Sequence, residues 1–331
     1  MFLEQVLVQG FKSYSLETEM NFNPGIGVVI GNNGVGKSNI LDAIAWGLGE
    51  NDLDRLRCYD TQDLFFSGSK NCKPAQVAKV ALTLSHGPAK TGGRVHLERR
   101  LSRAGEDNYL AEQKPMSRAE YLQRLMDLGL VDTLKTLIRQ EQLNDWLRFD
   151  SAERLRNVLA FLGNRAEPSR LDEFVRDWDK AFKHYFTTLL PEGDCRLYLE
   201  DSNGAKGLEI EICFPDKGVK KSRLLSGGER TVTSLAAKLA LFDQLQSPAY
   251  FLDEVEPSLD YVNHKRMQDF LRDIATRKQL IMITHLRSTI ELANTLHGVR
   301  TRRDGTSFMK FYFVMDKRLL RLYSGVARPG S

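Results

Sequence analysis

Gly31-Asn32-Asn33-Gly34-Val35-Gly36-Lys37-Ser38 fits the spacing G-x-x-x-x-G-K-[ST], and each residue type in it has a chemical use. Glycines at 31, 34 and 36 let the backbone turn tightly and aim several N–H groups at one point, and the start of a following helix adds positive charge there. An apolar run ending at Ile30 precedes the loop, and a helical pattern, Asn39 to Leu48, follows it. Such a strand–loop–helix unit holds phosphate. Lys37 would reach the β- and γ-phosphates of a nucleotide and Ser38 would ligate Mg²⁺. The candidate nucleotide-binding set is Gly31, Asn32, Asn33, Gly34, Gly36, Lys37, Ser38 and Asn39. The competing reading is a glycine-rich turn that happens to carry Lys-Ser.

Two further centres lie far along the chain. Leu224-Leu225-Ser226-Gly227-Gly228-Glu229-Arg230 opens a second helical pattern, and small residues at a helix start form another anion seat. Tyr250-Phe251-Leu252-Asp253-Glu254 is an apolar strand running into two carboxylates, one able to face a metal and the next able to hold a water. A third apolar run, Leu280 to Thr284, ends at His285, a position as suited to packing or capping as to catalysis. Arg55 and Arg57 could add charge-assisted phosphate contacts or simply be solvated. Lys70, Lys73, Arg99, Arg100 and Arg103 form a basic cluster that reads either as a solvated face or as a nucleic-acid contact.

The elements that must position these groups follow from hydrophobic period. Phe2–Val8, Val77–Leu84 and Val95–Leu101 read as strands, the last two as a hairpin across His86–Gly93. Ser117 opens a helical stretch continuing through Leu134–Ile138, and Ser151 is placed as the N-cap of a helix to Leu162. Leu171, Phe174, Val175, Trp178, Ala181, Phe182, Tyr185 and Leu189 make one long helical stripe. Cys195–Leu199 and Leu208–Phe214 are strands, and Lys217–Arg223 reads as a basic loop. The 331 residues, 42% hydrophobic, allow one large or two medium domains. A formal charge of +4 is too near balance to demand a polyanion partner. Four scattered cysteines without a C-x-x-C pair argue against a zinc site or disulfide framework and suit a reducing cytoplasm. The absence of a long apolar run argues against a membrane span.

The three centres in this order, with Gly10-Phe11-Lys12-Ser13-Tyr14 near the start and Leu252-Asp253-Glu254-Val255-Glu256-Pro257-Ser258-Leu259-Asp260, resemble an ATP-binding-cassette (ABC) ATPase. More narrowly, they resemble the head of a structural maintenance of chromosomes (SMC) protein. The resemblance implies an α/β fold with a P-loop mixed-sheet core, an antiparallel β subdomain and a helical signature-motif lobe. It divides the chain into an N-terminal lobe, 1–163, a short linker, 164–170, and a C-terminal lobe, 171–331. It also implies roles. Gln140 is similar to the Q-loop glutamine that ligates Mg²⁺ beside Ser38, with Asp253 supporting the metal. Arg57 resembles an arginine that reaches ATP, Glu254 would polarise the attacking water, and His285 is similar to the switch histidine. Asp260 would lie in the D-loop at a dimer seam. Ser226, Gly227, Gly228 and Glu229 would close on the ATP of a second head.

Implied partners are that second head, DNA bound largely without regard to sequence, and a kleisin subunit, in a chromosome- or nucleoid-associated cytoplasmic setting. SMC proteins insert a long coiled-coil arm between the lobes, which is missing here, so Ser151–Leu162 and Leu171–Leu189 would be its stumps. The stretch Lys310–Tyr323, rich in aromatics and cations, departs from the family pattern. A double-strand-break repair ATPase of the zinc-hook type shares the cassette and is the alternative reading.

Overall fold

The computed structural model describes the chain except residues 88–92, 164–169, 203–204, 217, 257–260 and 316–331. Asp260, nearly all of the 164–170 linker and the end of the 310–323 stretch lie outside the described residues. Two compact units are present: Met1–Leu134 with Pro248–Phe251 and Ile274–Ser331, and Lys135–Ser247 with Leu252–Asp273.

The first unit opens with β1 (Phe2–Gln9), β2 (Thr18–Asn21), β3 (Ile26–Ile30), α1 (Lys37–Gly47), β4 (Val77–Ser85), β5 (Arg94–Ser102), β6 (Asp107–Ala111), β7 (Lys114–Met116) and α2 (Arg118–Asp127). The chain then forms β8 (Leu137–Arg139), α3 (Gln140–Leu143), α4 (Ser151–Leu162), α5 (Leu171–Leu189), β9 (Asp194–Ser202), β10 (Ala205–Phe214), β11 (Gly218–Lys221) and α6 (Gly227–Phe242). Last come β12 (Ala249–Asp253), α7 (Tyr261–Arg277), β13 (Gln279–Ile283), α8 (Arg287–Ile290), β14 (Thr295–Thr301) and β15 (Ser307–Val314).

Within the first unit, β3 lies between β13 and β14 and runs parallel to both. Central parallel strands are covered on both faces and therefore read as continuous apolar runs. All of Gln279–Ile283 is accordingly buried. The one polar residue there, Gln279, closes its own account: its amide accepts from Leu3 N–H at 2.8 Å and donates to the Leu3 carbonyl at 2.9 Å. β15 pairs antiparallel with β14 and forms the outer edge, where Phe313 and Val314 are exposed. The cationic-aromatic stretch from Lys310 is thus, as far as Val314, an edge strand.

The antiparallel sheet of this unit runs β2-β1-β4-β5-β6-β7. Alternation along β5 turns Val95, Leu97, Arg99 and Leu101 inward. In the second unit, α5 lies against α6 and β9. Its stripe buries Leu171, Val175, Trp178, Phe182, Tyr185, Phe186 and Leu189, and the Trp178 indole donates to the Ala237 carbonyl at 2.8 Å.

Three local expectations change. Leu134–Ile138 is a 3-10 turn over Thr133–Thr136 followed by the strand β8, because the run is too short to complete an amphipathic helix. The N-cap of α4 is Asp150, whose carboxylate accepts from Glu153 N–H at 2.7 Å, so Ser151 is the first helical residue. Among the described residues, the basic stretch up to Arg223 is the hairpin strand β11 paired with β10, followed by a 3-10 turn over Ser222–Leu224.

His297 on β14 is fully buried between the rings of Phe22, 4.5 Å away, and Tyr312, 5.0 Å away. Its Nε2 lies 2.9 Å from the Asn21 carbonyl. Burial pushes the imidazole down to about 4. Because the folded value lies below that of the unfolded chain, the folded state favours neutral imidazole; this contribution is complete above about pH 6.5 and declines as pH falls toward 4. His297→Gln keeps a donor toward Asn21 and removes the titration. Urea midpoints measured at pH 7 and pH 4.5 are expected to differ less in this variant than in the parent, and an equal difference would contradict the assignment.

Candidate nucleotide site

The phosphate-loop half of the site is built in the first unit, where β3 ends and α1 begins. Gly31, Gly34 and Gly36 have φ of 159, 77 and 94°, and Gly36, at the N-cap of α1, is left-handed. Glycine is required at Gly36 for a second reason: a Cβ there would stand 2.5 Å from both the Ser13 and Ser307 hydroxyl oxygens. Asn32, Asn33 and Gly34 are exposed at the tip, while Lys37 is only 5% exposed. The Lys37 ammonium donates to the carbonyls of Gly31 at 2.9 Å and Asn32 at 3.0 Å, and His285 Nε2 lies 3.0 Å from it. An ammonium can only donate, so the His285 Nε2 facing it carries the lone pair and Nδ1 the proton.

Residues Lys37, Ser38 and Asn39 form the first turn of α1, whose leading N–H groups have no partner inside the helix. A cation, a left-handed glycine and a helix N-terminus thus converge within one loop, and such a cradle fits a polyphosphate. Ser38 here, and Gln140 and Asp253 of the second unit, each carry a hard oxygen donor of the kind that suits Mg²⁺.

Under this loop lies a carboxylate that the sequence reading did not single out. Asp42, on α1 and fully buried, pairs with Lys12 at 2.7 Å and with Arg57 at 2.6 Å. Arg57 also donates to the Asn39 amide oxygen at 3.2 Å. Both cations have left-handed backbones, φ 47° at Lys12 and 55° at Arg57, an arrangement costing about 1–3 kcal/mol each for a non-glycine residue. One signal could have found Asp42: a carboxylate between Leu41 and Ala43 on a buried helix must meet cations.

The second unit carries the other candidates. Gln140 is exposed at the first position of α3, and Asp253 ends β12 at 8% exposure. Glu254 follows with φ 51°, a left-handed conformation uncommon outside glycine, asparagine and aspartate. Ser226, Gly227 and Gly228 are exposed at the N-terminus of α6, with nothing within 4 Å of a Cβ at either glycine. Glu229 accepts from the Ser226 N–H at 2.9 Å and fixes the turn.

Within this unit α6 holds the segment after Gln140 through residues spaced along one helix face. The Thr231 hydroxyl takes the Asn144 amide at 3.3 Å, Ser234 bonds the Leu143 carbonyl and takes the Trp146 indole at 2.7 Å, and Lys238 donates to the Gln142 carbonyl at 2.6 Å.

The cationic cluster divides. Arg99 is 3% exposed, stacked over Trp46 and Tyr109, paired with Asp107 at 2.8 Å and donating to the carbonyls of Trp46 and Glu50. Its inward parity on β5 makes it a core residue rather than a phosphate contact. Arg103 is half-buried over Phe65 and donates to the Ala75 carbonyl. Lys70, Lys73 and Arg100 are exposed, with Arg100 paired to Glu98.

A parallel strand entering a glycine loop and helix, an antiparallel β subdomain, and a helix led by Ser-Gly-Gly define the class: an ABC-type ATPase head. The RecF/RecN/SMC N terminal domain model matches residues 2–308, and the chain belongs to that family as an SMC head domain. The chromosome partition protein Smc of Mycobacterium tuberculosis is 39% identical over 136 residues, which is 40% of this chain and 11% of that protein. Where 82% of the chain aligns, with the chromosome partition protein Smc of Clostridium kluyveri at 27% identity, it covers 22% of that protein, so the chain spans about a fifth of the length of such curated relatives. A crystal structure of the SmcHead bound to the C-winged helix domain of ScpA matches with TM-score 0.84 and 29% identity, covering 97% of this chain and 100% of the other. The SMC head domain from Thermotoga maritima matches with TM-score 0.68 and 28% identity, covering 96% and 100%.

Asp42→Asn would leave Lys12 and Arg57 adjacent without their shared anion. Unfolding free energy is expected to fall by about 3 kcal/mol, the lower end for breaking a buried pair. Urea titration measures it, and an unchanged midpoint would count against Asp42 as the anchor.

Proposed function

We propose that the chain is an ATP-operated clasp: it binds Mg²⁺ and ATP at the Gly31–Ser38 loop, pairs with a second head across the nucleotide, and hydrolyses ATP to release it. The observation that carries this reading is that one chain holds both a buried, loop-bound Lys37 and, in its other unit, an exposed Ser226-Gly227-Gly228 helix start. The first is built to receive a polyphosphate. The second presents an open anion seat suited to the γ-phosphate held by another copy, where a helix terminus contributes about 0.3–1 kcal/mol or more when desolvated.

In this reading Lys37, Ser38, Asn39 and Arg57 bind and orient the phosphates, and Gln140, Asp253 and Ser38 hold the metal. When bound, Mg²⁺ neutralises charge on the β- and γ-oxygens. Glu254 takes the proton of the attacking water, His285 faces the γ-phosphate, and Asp260 belongs to the seam between heads. The chain then serves a chromosome-organising assembly with a kleisin subunit and DNA, as the names of its relatives suggest. Among the described residues no helix is long and apolar enough to cross a membrane. Contacts from Lys70, Lys73 and Arg100 would go to phosphates without reading bases, so DNA affinity is expected to fall steeply with salt.

Glu254→Gln is expected to keep Mg-ATP binding, accumulate a dimer on gel filtration and lose about 10²–10⁴-fold in turnover. A chain that stays monomeric with ATP in this variant would sink the clasp. Ser226→Arg is expected to abolish the dimer while nucleotide affinity in the monomer stays at the parental value; a matching loss of affinity would place the motif on the chain's own nucleotide instead.

A further inference from the structure

Between the phosphate loop and the last hairpin lies a file of hydrogen bonds that none of the roles above uses. Arg57 donates to the Asn39 amide oxygen at 3.2 Å, and the Asn39 amide nitrogen donates to the Ser13 hydroxyl at 2.8 Å. The Ser13 and Ser307 hydroxyl oxygens are 2.7 Å apart, and Ser307 Oγ lies 2.8 Å from the Val35 carbonyl. Each hydroxyl owns a single proton, and a carbonyl can only accept. Ser307 therefore gives its proton to Val35, which leaves Ser13 to donate to Ser307 and to accept from Asn39. The file has one direction, from the Arg57 guanidinium to the loop backbone, and hydrogen bonds aligned in this way polarise one another.

The end of the file matters because of peptide geometry. In a trans peptide the C=O and the next N–H point in opposite directions, and the described chain has no cis bonds. Fixing the Val35 carbonyl on Ser307 thus turns the Gly36 N–H to the opposite side of that peptide plane. The next peptide is held in the same manner, since the Tyr14 hydroxyl donates to the Gly36 carbonyl at 3.0 Å, which sets the Lys37 N–H. Burial pushes the Tyr14 phenol up, so it remains a donor. Ser307 is 1% exposed, its own N–H donates to the Ser13 carbonyl at 2.8 Å, and its hydroxyl fills the space that a Gly36 Cβ would need.

We infer that Ser307, at the start of β15, is a positioning residue of the nucleotide site: with Tyr14 it locks two successive peptide planes of the phosphate loop so that the Gly36 and Lys37 N–H groups are aimed before an anion arrives. The ligand class is the polyphosphate of a nucleoside triphosphate or diphosphate, so the inference rests on the nucleotide reading above. It also makes the β14–β15 hairpin part of the site, although Ser307 lies far from Val35 in sequence.

Fluorescent-analogue titration of the intact chain with Mg-ATP, alongside thermal unfolding without nucleotide, tests it. Ser307→Ala is expected to raise the dissociation constant about tenfold, the scale of one hydrogen bond to a charged partner, and, because it leaves the buried Val35 carbonyl without its hydroxyl, to lower the nucleotide-free melting midpoint as well. Ser307→Thr keeps the hydroxyl and is expected to recover most of the affinity. Parental affinity in Ser307→Ala, or a lowered melting midpoint with parental affinity, would overturn the role. Should Ser307→Ala fail to fold, Tyr14→Phe removes only the neighbouring hydroxyl, and parental affinity there would overturn it too. Failure of the parent chain to bind Mg-ATP would instead remove the nucleotide reading and this inference together.

Discussion

A buried carboxylate on α1 is the constraint on which the phosphate-loop half of the site depends. Asp42 has no solvent to stabilise its charge, so it gathers the two cations within reach, Lys12 and Arg57. Both approach from segments whose backbones sit in the left-handed region, and the attraction of the shared anion helps hold them there. Removing Asp42 from such a set costs more than the set contributes as a whole, because the Lys12 ammonium, whose side chain is 10% exposed, would have little solvent to replace its counter-ion. The turn carrying Lys12 and Ser13, the loop carrying Arg57 and the helix leading from the phosphate loop are tied together at one point.

From that point the loop is held on several sides. Lys37 is gathered by the carbonyls of Gly31 and Asn32 and by His285 at the end of β13. Gly36 is backed by the hydroxyls of Ser13, Tyr14 and Ser307. An anion site made from backbone N–H groups is only as good as the fixation of its peptide planes, since a preorganised donor needs no reorganisation when charge arrives. The antiparallel sheet contributes in the same sense: Arg99 donates to the carbonyls of Trp46 and Glu50, at the end of α1 and just beyond it. A cation that could have met DNA instead braces the helix.

The second unit organises its own chemistry around α6. Thr231, Ser234 and Lys238 secure the segment that follows Gln140, while the same helix presents Ser226 at its start. A residue proposed to hold the metal therefore stands just before a segment fastened to the same helix whose start is proposed to meet another molecule's nucleotide. Trp178 of α5, donating to the Ala237 carbonyl, ties the long apolar stripe to that element as well.

Much of this was legible in the sequence. Spacing alone gave the phosphate loop, the Ser-Gly-Gly helix start, the strand into Asp253-Glu254 and the stripe of α5, because glycine placement and hydrophobic period are local properties of a chain. What spacing could not supply was the destination of a polar side chain. Arg99 looks like Arg100 in a list of cations, yet strand parity sends one inward and the other to solvent. Leu134–Ile138 carries a helical period too short to outweigh its turn, and it folds as a 3-10 turn and a strand. Asp42 needed cations from Lys12 and Arg57, and Val35 needed a hydroxyl from Ser307. Those partners are brought together only when β1, α1 and the last hairpin pack, since hydrogen bonds and ion pairs depend on distances that tertiary structure alone sets. The sequence by itself determined which loop can hold a phosphate; the tertiary structure decided what holds the loop.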